Sequence, residues 1–191
     1  MSMGLLVEQG EAVVWRGPML HGAIKSFLHD VDWGELDYLL VDLPPGTGDV
    51  QLSLIQQTFV AGAVIVTTPS TVSIDDAVKA VAMFGKLSVP VLGVIENMSY
   101  FVCPSCDTRH DIFNTGAGEA RALAMGLPFL GAIPLHPEVR AAGDEGKPVV
   151  LSHPDTDYGR ALTRIAGHLA QRISIQTIGQ APSQTLGVPA P

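Results

Sequence analysis

The sequence is short of cysteine, of positive charge, of aromatic side chains and of long apolar runs. Cys103 and Cys106 are the only cysteines among 191 residues, which excludes a disulfide-dense secreted scaffold. Eleven Lys and Arg stand against 19 Asp and Glu, for a net charge of -8. Such a balance leaves no electrostatic footprint for nucleic acid and no polybasic grip on an anionic membrane. No apolar run approaches the roughly 18–20 residues a membrane helix needs. The opening Met-Ser-Met-Gly-Leu-Leu-Val has no basic stretch and is soon followed by Glu8 and Glu11, unlike a signal peptide. These absences predict a cytoplasmic protein with neither nucleic acid nor membrane as partner. Aromatics are 6 % of the chain, yet hydrophobic residues are 47 % and charged residues 16 %, so a globular core built on aliphatic side chains is expected.

Short apolar runs alternate with stretches of helical spacing. Residues 36–43, 62–68, 90–96 and 129–133 read as strands, the first two as strands buried on both faces. Residues 49–59, 73–87, 118–125 and 158–173 read as helices, with Ser73 as an N-cap ahead of Asp75 and Asp76. Gly126-Leu127-Pro128 stops the third of these. The alternation predicts an α/β fold: a mostly parallel sheet with helices on both faces. Residues 1–173 are expected to form the domain. Residues 174–191, rich in Gln, Thr, Ser, Gly and Pro, are expected to form a disordered tail. Ligands of such sheets bind beyond the carboxyl ends of the strands, so the segments after each strand are the ones to inspect.

After the first strand comes Asp42-Leu43-Pro44-Pro45-Gly46-Thr47-Gly48-Asp49. An acidic residue closing a buried apolar strand is the Walker B arrangement, whose carboxylate faces the Mg²⁺ of a bound nucleotide. Gly46 and Gly48 allow backbone close to a terminal phosphate, and Asp49 is placed to cap the next helix or orient water. An ordinary strand-to-helix turn with a capping Asp is the plainer alternative. Thr67, Thr68 and Pro69 end a second strand on the same edge, and Arg16 suits either a phosphate or a surface ion pair.

Cys103 and Cys106, two residues apart, place two thiolates within reach of one metal or cluster. Two ligands do not complete a tetrahedral site. A second chain across a twofold axis would supply the other pair. Alternatively Cys103, Cys106 and His110 hold zinc within one chain, or the pair is a redox couple.

The 42–49 string, with Val14-Trp15-Arg16-Gly17-Pro18, Trp33-Gly34-Glu35-Leu36-Asp37-Tyr38, and Glu96-Asn97-Met98-Ser99-Tyr100 followed by Cys103-Pro104-Ser105-Cys106, resembles the Mrp/ApbC family of iron–sulfur carrier ATPases. That family belongs to the deviant-Walker P-loop group with MinD and nitrogenase iron protein. The resemblance runs from about Gly4 to Ile173. It implies a P-loop NTPase-like fold and a [4Fe–4S] cluster bridging a homodimer through Cys103 and Cys106 of each chain. It also implies transfer of that cluster to apo iron–sulfur client proteins. ATP with Mg²⁺ would be the nucleotide, with Asp42 and Asp49 catalytic and Asp42, Gly46, Gly48, Asn97 and Pro134 in contact with it. Asn97 would read the adenine edge, or else bond its own backbone. Pro134 to Arg140 would cover the base, or else form a capped loop into a short helix.

The sequence departs from the family in holding no Gly-Lys-Gly-Gly-Val-Gly-Lys-Ser/Thr string; no lysine precedes Lys25. The family's first strand, phosphate loop and switch I aspartate are expected upstream of Met1, the chain being a fragment or else a short relative that relies on a partner, and no ATP hydrolysis is expected from these residues alone. Two further readings stand beside the carrier: a non-catalytic dimeric metal-binding module, and a MinD/ParA-like positioning ATPase. The last gives the cysteine pair no role and finds no amphipathic helix in the tail.

Overall fold

A computed structural model describes residues 1–5 and 17–180 of the chain. It divides into two compact units, Met1–Val60 and the residues from Ala61 on.

In the first unit, helix α1 (Gly17–His29) packs on helix α2 (Asp49–Gln57). The Gln57 amide donates to the His21 carbonyl, 3.1 Å away, and ties the two helices. After α1 the chain turns at Asp32, whose carboxylate accepts from Gly34 N at 3.0 Å, with Gly34 at a φ of +65°. Trp33 Nε1 donates back to Phe27 O at 2.8 Å.

The expected strand over residues 36–43 is not formed. Leu36, Tyr38, Leu39, Leu40 and Val41 are all exposed, Leu40 at 79 %. A strand takes its stability from ladder hydrogen bonds and cross-strand packing. Among the described residues no strand pairs with this segment. Its β-forming composition is therefore unmatched by any context.

The second unit holds a three-stranded parallel sheet of order β1–β2–β5, from β1 (Ala63–Thr67), β2 (Val91–Glu96) and β5 (Phe129–Ala132). Helix α3 (Thr71–Lys86) joins β1 to β2. A small hairpin, β3 (Phe101–Val102) with β4 (Arg109–His110), and helix α4 (Ala117–Ala124) join β2 to β5. Helices α5 (Pro137–Asp144), α6 (Val149–Ser152) and α7 (Asp157–Gln180) follow.

Successive strand residues face opposite sides of a sheet. Thr67 and Glu96 lie against Gly118 of α4, whereas the adjacent Ile95 packs with Leu130 of β5 and Ile165 of α7. Helices therefore cover both faces, as the alternation of runs predicts. A subsidiary core of Ala142, Val149 and Tyr158 fastens α5 and α6 to α7.

Two helix ends differ from expectation. The N-cap of α3 is Ser70, whose hydroxyl accepts from Ser73 N at 3.3 Å. Ser73 instead accepts from Thr68 N at 3.0 Å and meets Thr67 Oγ1 at 2.9 Å, so it fastens the strand exit. Helix α7 runs to Gln180, beyond the expected end at Ile173 and into the segment read as tail. There Ser174 and Thr177 donate their hydroxyls to the carbonyls of Ala170 and Ile173, both at 3.0 Å, the back-bonding by which such residues are accommodated inside a helix. Residues 181–191, and the Val14, Trp15 and Arg16 positions, lie outside the described residues.

Candidate functional site

The cysteines sit at the tip of an excursion between β2 and α4. Beyond Glu96 the chain keeps a ladder with the end of β5: Ile133 N donates to Glu96 O, Ser99 N to Ile133 O and Leu135 N to Tyr100 O, at 2.8, 3.0 and 2.7 Å. It then forms the antiparallel β3–β4 pair, with Phe101 opposite His110 and Val102 opposite Arg109.

The connecting turn, residues 103–108, closes on Cys103. Its amide donates to Thr108 O at 3.0 Å, and its carbonyl accepts from Asp107 N at 2.9 Å. Asp107 supplies the tight bend with a φ of +54°. Cys103 is half-buried and Cys106 exposed. Cys106 Sγ and Thr108 Oγ1 are hydrogen-bonded at 3.3 Å. Hydrogen bonding from the Thr108 side chain, then its backbone, then the Cys103 thiol holds the Cys106 thiol below the ordinary range. The turn thus brings the thiol pair together and stabilises thiolate, the form that binds metal.

A depressed folded-state value means that Cys106 stays thiolate to lower pH than in the unfolded chain. Its stabilising effect is present above the unfolded value and lost as pH falls through the folded one. Alkylation of Cys106 by iodoacetamide, followed by mass spectrometry against pH, is expected to reach half-maximal rate at lower pH in the native chain than in urea. Thr108→Val is expected to move the native midpoint upward.

Among the described residues, no three His, Cys, Asp or Glu side chains are grouped to hold a metal ion. His110 is turned to the hairpin itself, its ring centroid 6.4 Å from that of Phe101. The in-chain set of Cys103, Cys106 and His110 is therefore not assembled. What one chain offers is a pair of thiols.

The neck of the excursion holds two residues, Glu96 and Ser99, to which the sequence alone assigns no role. Glu96 is fully buried and Ser99 nearly so. Ser99 Oγ and Gly116 N both donate to Glu96 Oε1, at 2.5 and 3.0 Å, and Gly118 N donates to Oε2 at 2.6 Å. The signal was there to read: an acidic residue ending an apolar strand, as at Asp42.

The other expected site residues divide between the two units. In the first, Asp42 and Asp49 are exposed, and Asp49 opens α2. Gly48 is the N-cap of α2 and gives it no side-chain cap, so amides of the first turn are left for an outside acceptor. Gly46 has a φ of +94°, a backbone state that favours glycine, with open space where a Cβ would be. Gln51 is buried and donates through Nε2 to Pro44 O and Gly46 O, each at 2.9 Å, bracing the 44–46 turn from inside.

In the second unit, Asn97 Oδ1 accepts from Met98 N at 2.9 Å, the strand-end bond weighed for it. Asn97 N donates to Thr67 O at 2.7 Å. Thr67 is buried and spends its hydroxyl on Thr68 and Ser73. Pro134 is buried and precedes His136, whose Nδ1 accepts from Glu138 N at 3.2 Å and caps α5. Pro134 and His136 line a cleft of about 160 Å³ with Tyr100, Val102, Pro104 and Asp107. The segment expected to cover a base thus shares a cleft with the cysteine turn, a juxtaposition that the sequence does not display.

Curated relatives share much of this sequence. The chain is 56 % identical over 183 residues to an iron–sulfur cluster carrier protein of Deinococcus radiodurans, covering 96 % of this chain and 52 % of the relative. It is 49 % identical over 173 residues to the mouse iron–sulfur cluster transfer protein NUBPL, covering 91 % and 54 %. It therefore spans about half the length of these relatives. Among solved structures, a nucleotide-binding protein of Archaeoglobus fulgidus in complex with ADP matches with a TM-score of 0.61 and 37 % identity, over 73 % of this chain and 56 % of that one. MinD of Pyrococcus horikoshii, solved with Mg-ADP, matches with a TM-score of 0.61 at 24 % identity, over 86 % and 63 %, a likeness of fold alone. Residues 1–170 match the family described as ParA: NUBPL iron-transfer P-loop NTPase, and on that extent the chain belongs to this family.

Proposed function

We propose that this chain carries an iron–sulfur cluster as cargo, holding it through Cys103 and Cys106 and passing it to apo iron–sulfur proteins. The observation that carries the reading is the cysteine turn: two thiols brought together, one exposed and held toward thiolate, with no third ligand grouped beside them among the described residues. A [4Fe–4S] cargo needs four thiolates. The same two cysteines of a second copy complete the set, so the carrier is a homodimer about its cluster. Because each copy supplies half the ligands, loosening the dimer exposes the cargo to a client. The names of the relatives, cluster carrier and cluster transfer protein, support this assignment.

The 42–49 segment suits Mg-ATP. The uncapped α2 N-terminus and the open space at Gly46 fit phosphate oxygens. Asp42 would hold Mg²⁺, with Asp49 nearby in sequence to orient water. Bound Mg²⁺ supplies charge neutralisation on the phosphates. What the chain itself supplies is a braced turn: Gln51 keeps the carbonyls of Pro44 and Gly46 turned inward. The sequence contains no lysine-bearing glycine loop to stabilise developing charge. The protein works in the cytoplasm and without a nucleic-acid or membrane partner. Among the described residues no helix is long and apolar enough to cross a membrane.

The test is anaerobic reconstitution of the 191-residue chain with ferrous iron and sulfide, followed by iron and sulfide analysis, sedimentation and ATP turnover. The expected result is about four irons per two chains, a dimer that needs the cluster, and no ATP turnover. Iron bound by a monomer overturns the shared site. Turnover by these residues alone would overturn the reading that hydrolysis needs a lysine-bearing glycine loop.

A further inference from the structure

We infer that Glu96 is a positioning residue for the cysteine turn: it gathers both ends of the excursion and so presets the two thiols for their cargo. This rests on the cargo reading above. Glu96 is 0 % exposed and Ser99 1 %. A carboxylate removed from water is costly unless every lone pair finds a donor. Glu96 has three donors, drawn from two places far apart in sequence. Ser99 Oγ stands where the excursion leaves the sheet. Gly116 N and Gly118 N stand where it returns, at 3.0 and 2.6 Å, at the N-cap and in the first turn of α4. The positive end of that helix favours the negative charge.

The neck has a second stitch. Thr115 Oγ1 donates to Ser99 O. Arg109 Nη2 in turn reaches Thr115 Oγ1 at 3.4 Å, and the Arg109 guanidinium lies 4.1 Å over the Tyr100 ring. A continuous set of contacts therefore runs from Glu96 through the neck to both hairpin strands. Gly118 is fitted to the carboxylate: a Cβ there would lie 2.9 Å from Glu96 Oε2 and 3.1 Å from Thr67 Cγ2.

A strand could end in an apolar residue and still close its core. The neck instead uses a buried acid: two of its three hydrogen bonds join the ends, and the third, from Ser99, steadies the exit. Fixing those ends removes conformations that a free Cys-x-x-Cys loop would have to give up on binding metal. Glu96 touches no cargo and acts through the turn it positions.

The probe is Co²⁺ alone, titrated anaerobically into the full chain and read by thiolate-to-cobalt charge-transfer absorbance. Glu96→Gln puts an NH₂ where an acceptor is needed. Thr115→Val removes the second stitch, while Thr115→Ser keeps it. Glu96→Gln and Thr115→Val are each expected to weaken Co²⁺ binding roughly 10-fold or more, as loss of outer supports does at metal sites. Thr115→Ser should restore the parent affinity and band shape. Ile165→Val lowers stability from the α7 face, away from the neck, and should leave the affinity unchanged. If Glu96→Gln fails to fold, the Thr115 pair decides by itself.

Parent-like binding by Glu96→Gln and Thr115→Val overturns the inference, as does equal weakening by Ile165→Val. Both outcomes leave the cargo reading standing so long as the parent chain itself gives the thiolate-to-cobalt band. Absence of that band from the parent chain under Co²⁺ overturns the cargo reading, and this inference with it.

Discussion

The chain carrying Cys103→Ser together with Cys106→Ser is expected to bind no cluster at all. Two copies of the parent chain bring four thiolates; two copies of the double variant bring none. Serine oxygen is a harder and more basic ligand than thiolate and does not replace it at soft iron–sulfur sites. Either single variant leaves two thiolates across the pair of chains, too few to hold a cubane, so each is expected to fall close to the double variant rather than halfway. The loss should come without a loss of fold. Cys106 is exposed and Cys103 only half-buried, and neither belongs to a core cluster. Substitution at such places moves stability within about 0.5 kcal/mol. Iron and sulfide analysis after anaerobic reconstitution, with urea melts on the same samples, separates the two effects. Retained iron in the double variant would overturn the assignment of the turn as the cluster site.

Gly159→Ala is expected to have the largest effect on stability. An ideal Cβ at Gly159 runs directly into the His153 carbonyl oxygen and lies 3.0 Å from Pro154 O. Both obstacles are backbone, and the turn that carries them is tied in place. Thr156 Oγ1 donates to His153 O at 2.7 Å and accepts from Gly159 N at 3.2 Å. Next to it, Tyr158 is buried with Ala142 and Val149, and its ring lies 4.3 Å from that of His136. The new methyl group must therefore displace the start of α7 or the turn before it. Overpacking of this kind costs roughly 1–3 kcal/mol. Gly167→Ala is the internal control. It lies on an exposed stretch of the same helix with nothing within 4 Å of its Cβ, and it is expected to gain about 0.5–1 kcal/mol. Urea denaturation with unchanged m-values checks both. A Gly159→Ala chain as stable as its parent would show that the 153–156 turn is free to yield.

The parts that were legible in the sequence are those fixed by local pattern. Strands β1, β2 and β5 are short apolar runs bounded by turn residues, and their observed limits lie within a residue or so of those expected. The cysteine spacing announced paired thiols, and the turn delivers them. The misreadings share a cause: each rested on a partner that the pattern does not mention. Residues 36–43 have the composition of a buried strand, but burial needs neighbours, and among the described residues none pairs with them. Ser73 looked like a cap because it precedes Asp75 and Asp76. Ser70, one turn earlier, takes Ser73 N and sends the Ser73 hydroxyl back to the strand exit. Glu96 went unread as a functional residue because its role depends on Gly116 and Gly118, some twenty residues on in the chain. Asn97 shows the opposite limit: its side-chain bond to Met98 N is a local preference of the residue.

The stitched neck has a consequence for how this chemistry is inherited. Because Ser99 and Thr115 already meet across it, whatever lies between them adds little strain to the sheet, and a shorter or longer insert changes the closure entropy only slowly. The sheet and its helices form a socket, and the cysteine turn is a cassette set into it. A lineage could lose the cassette and keep a plain nucleotide switch, or exchange it for another metal-binding loop, without redesigning the core. For the engineer, residues 100–114 mark where a different ligand set can be grafted in one piece.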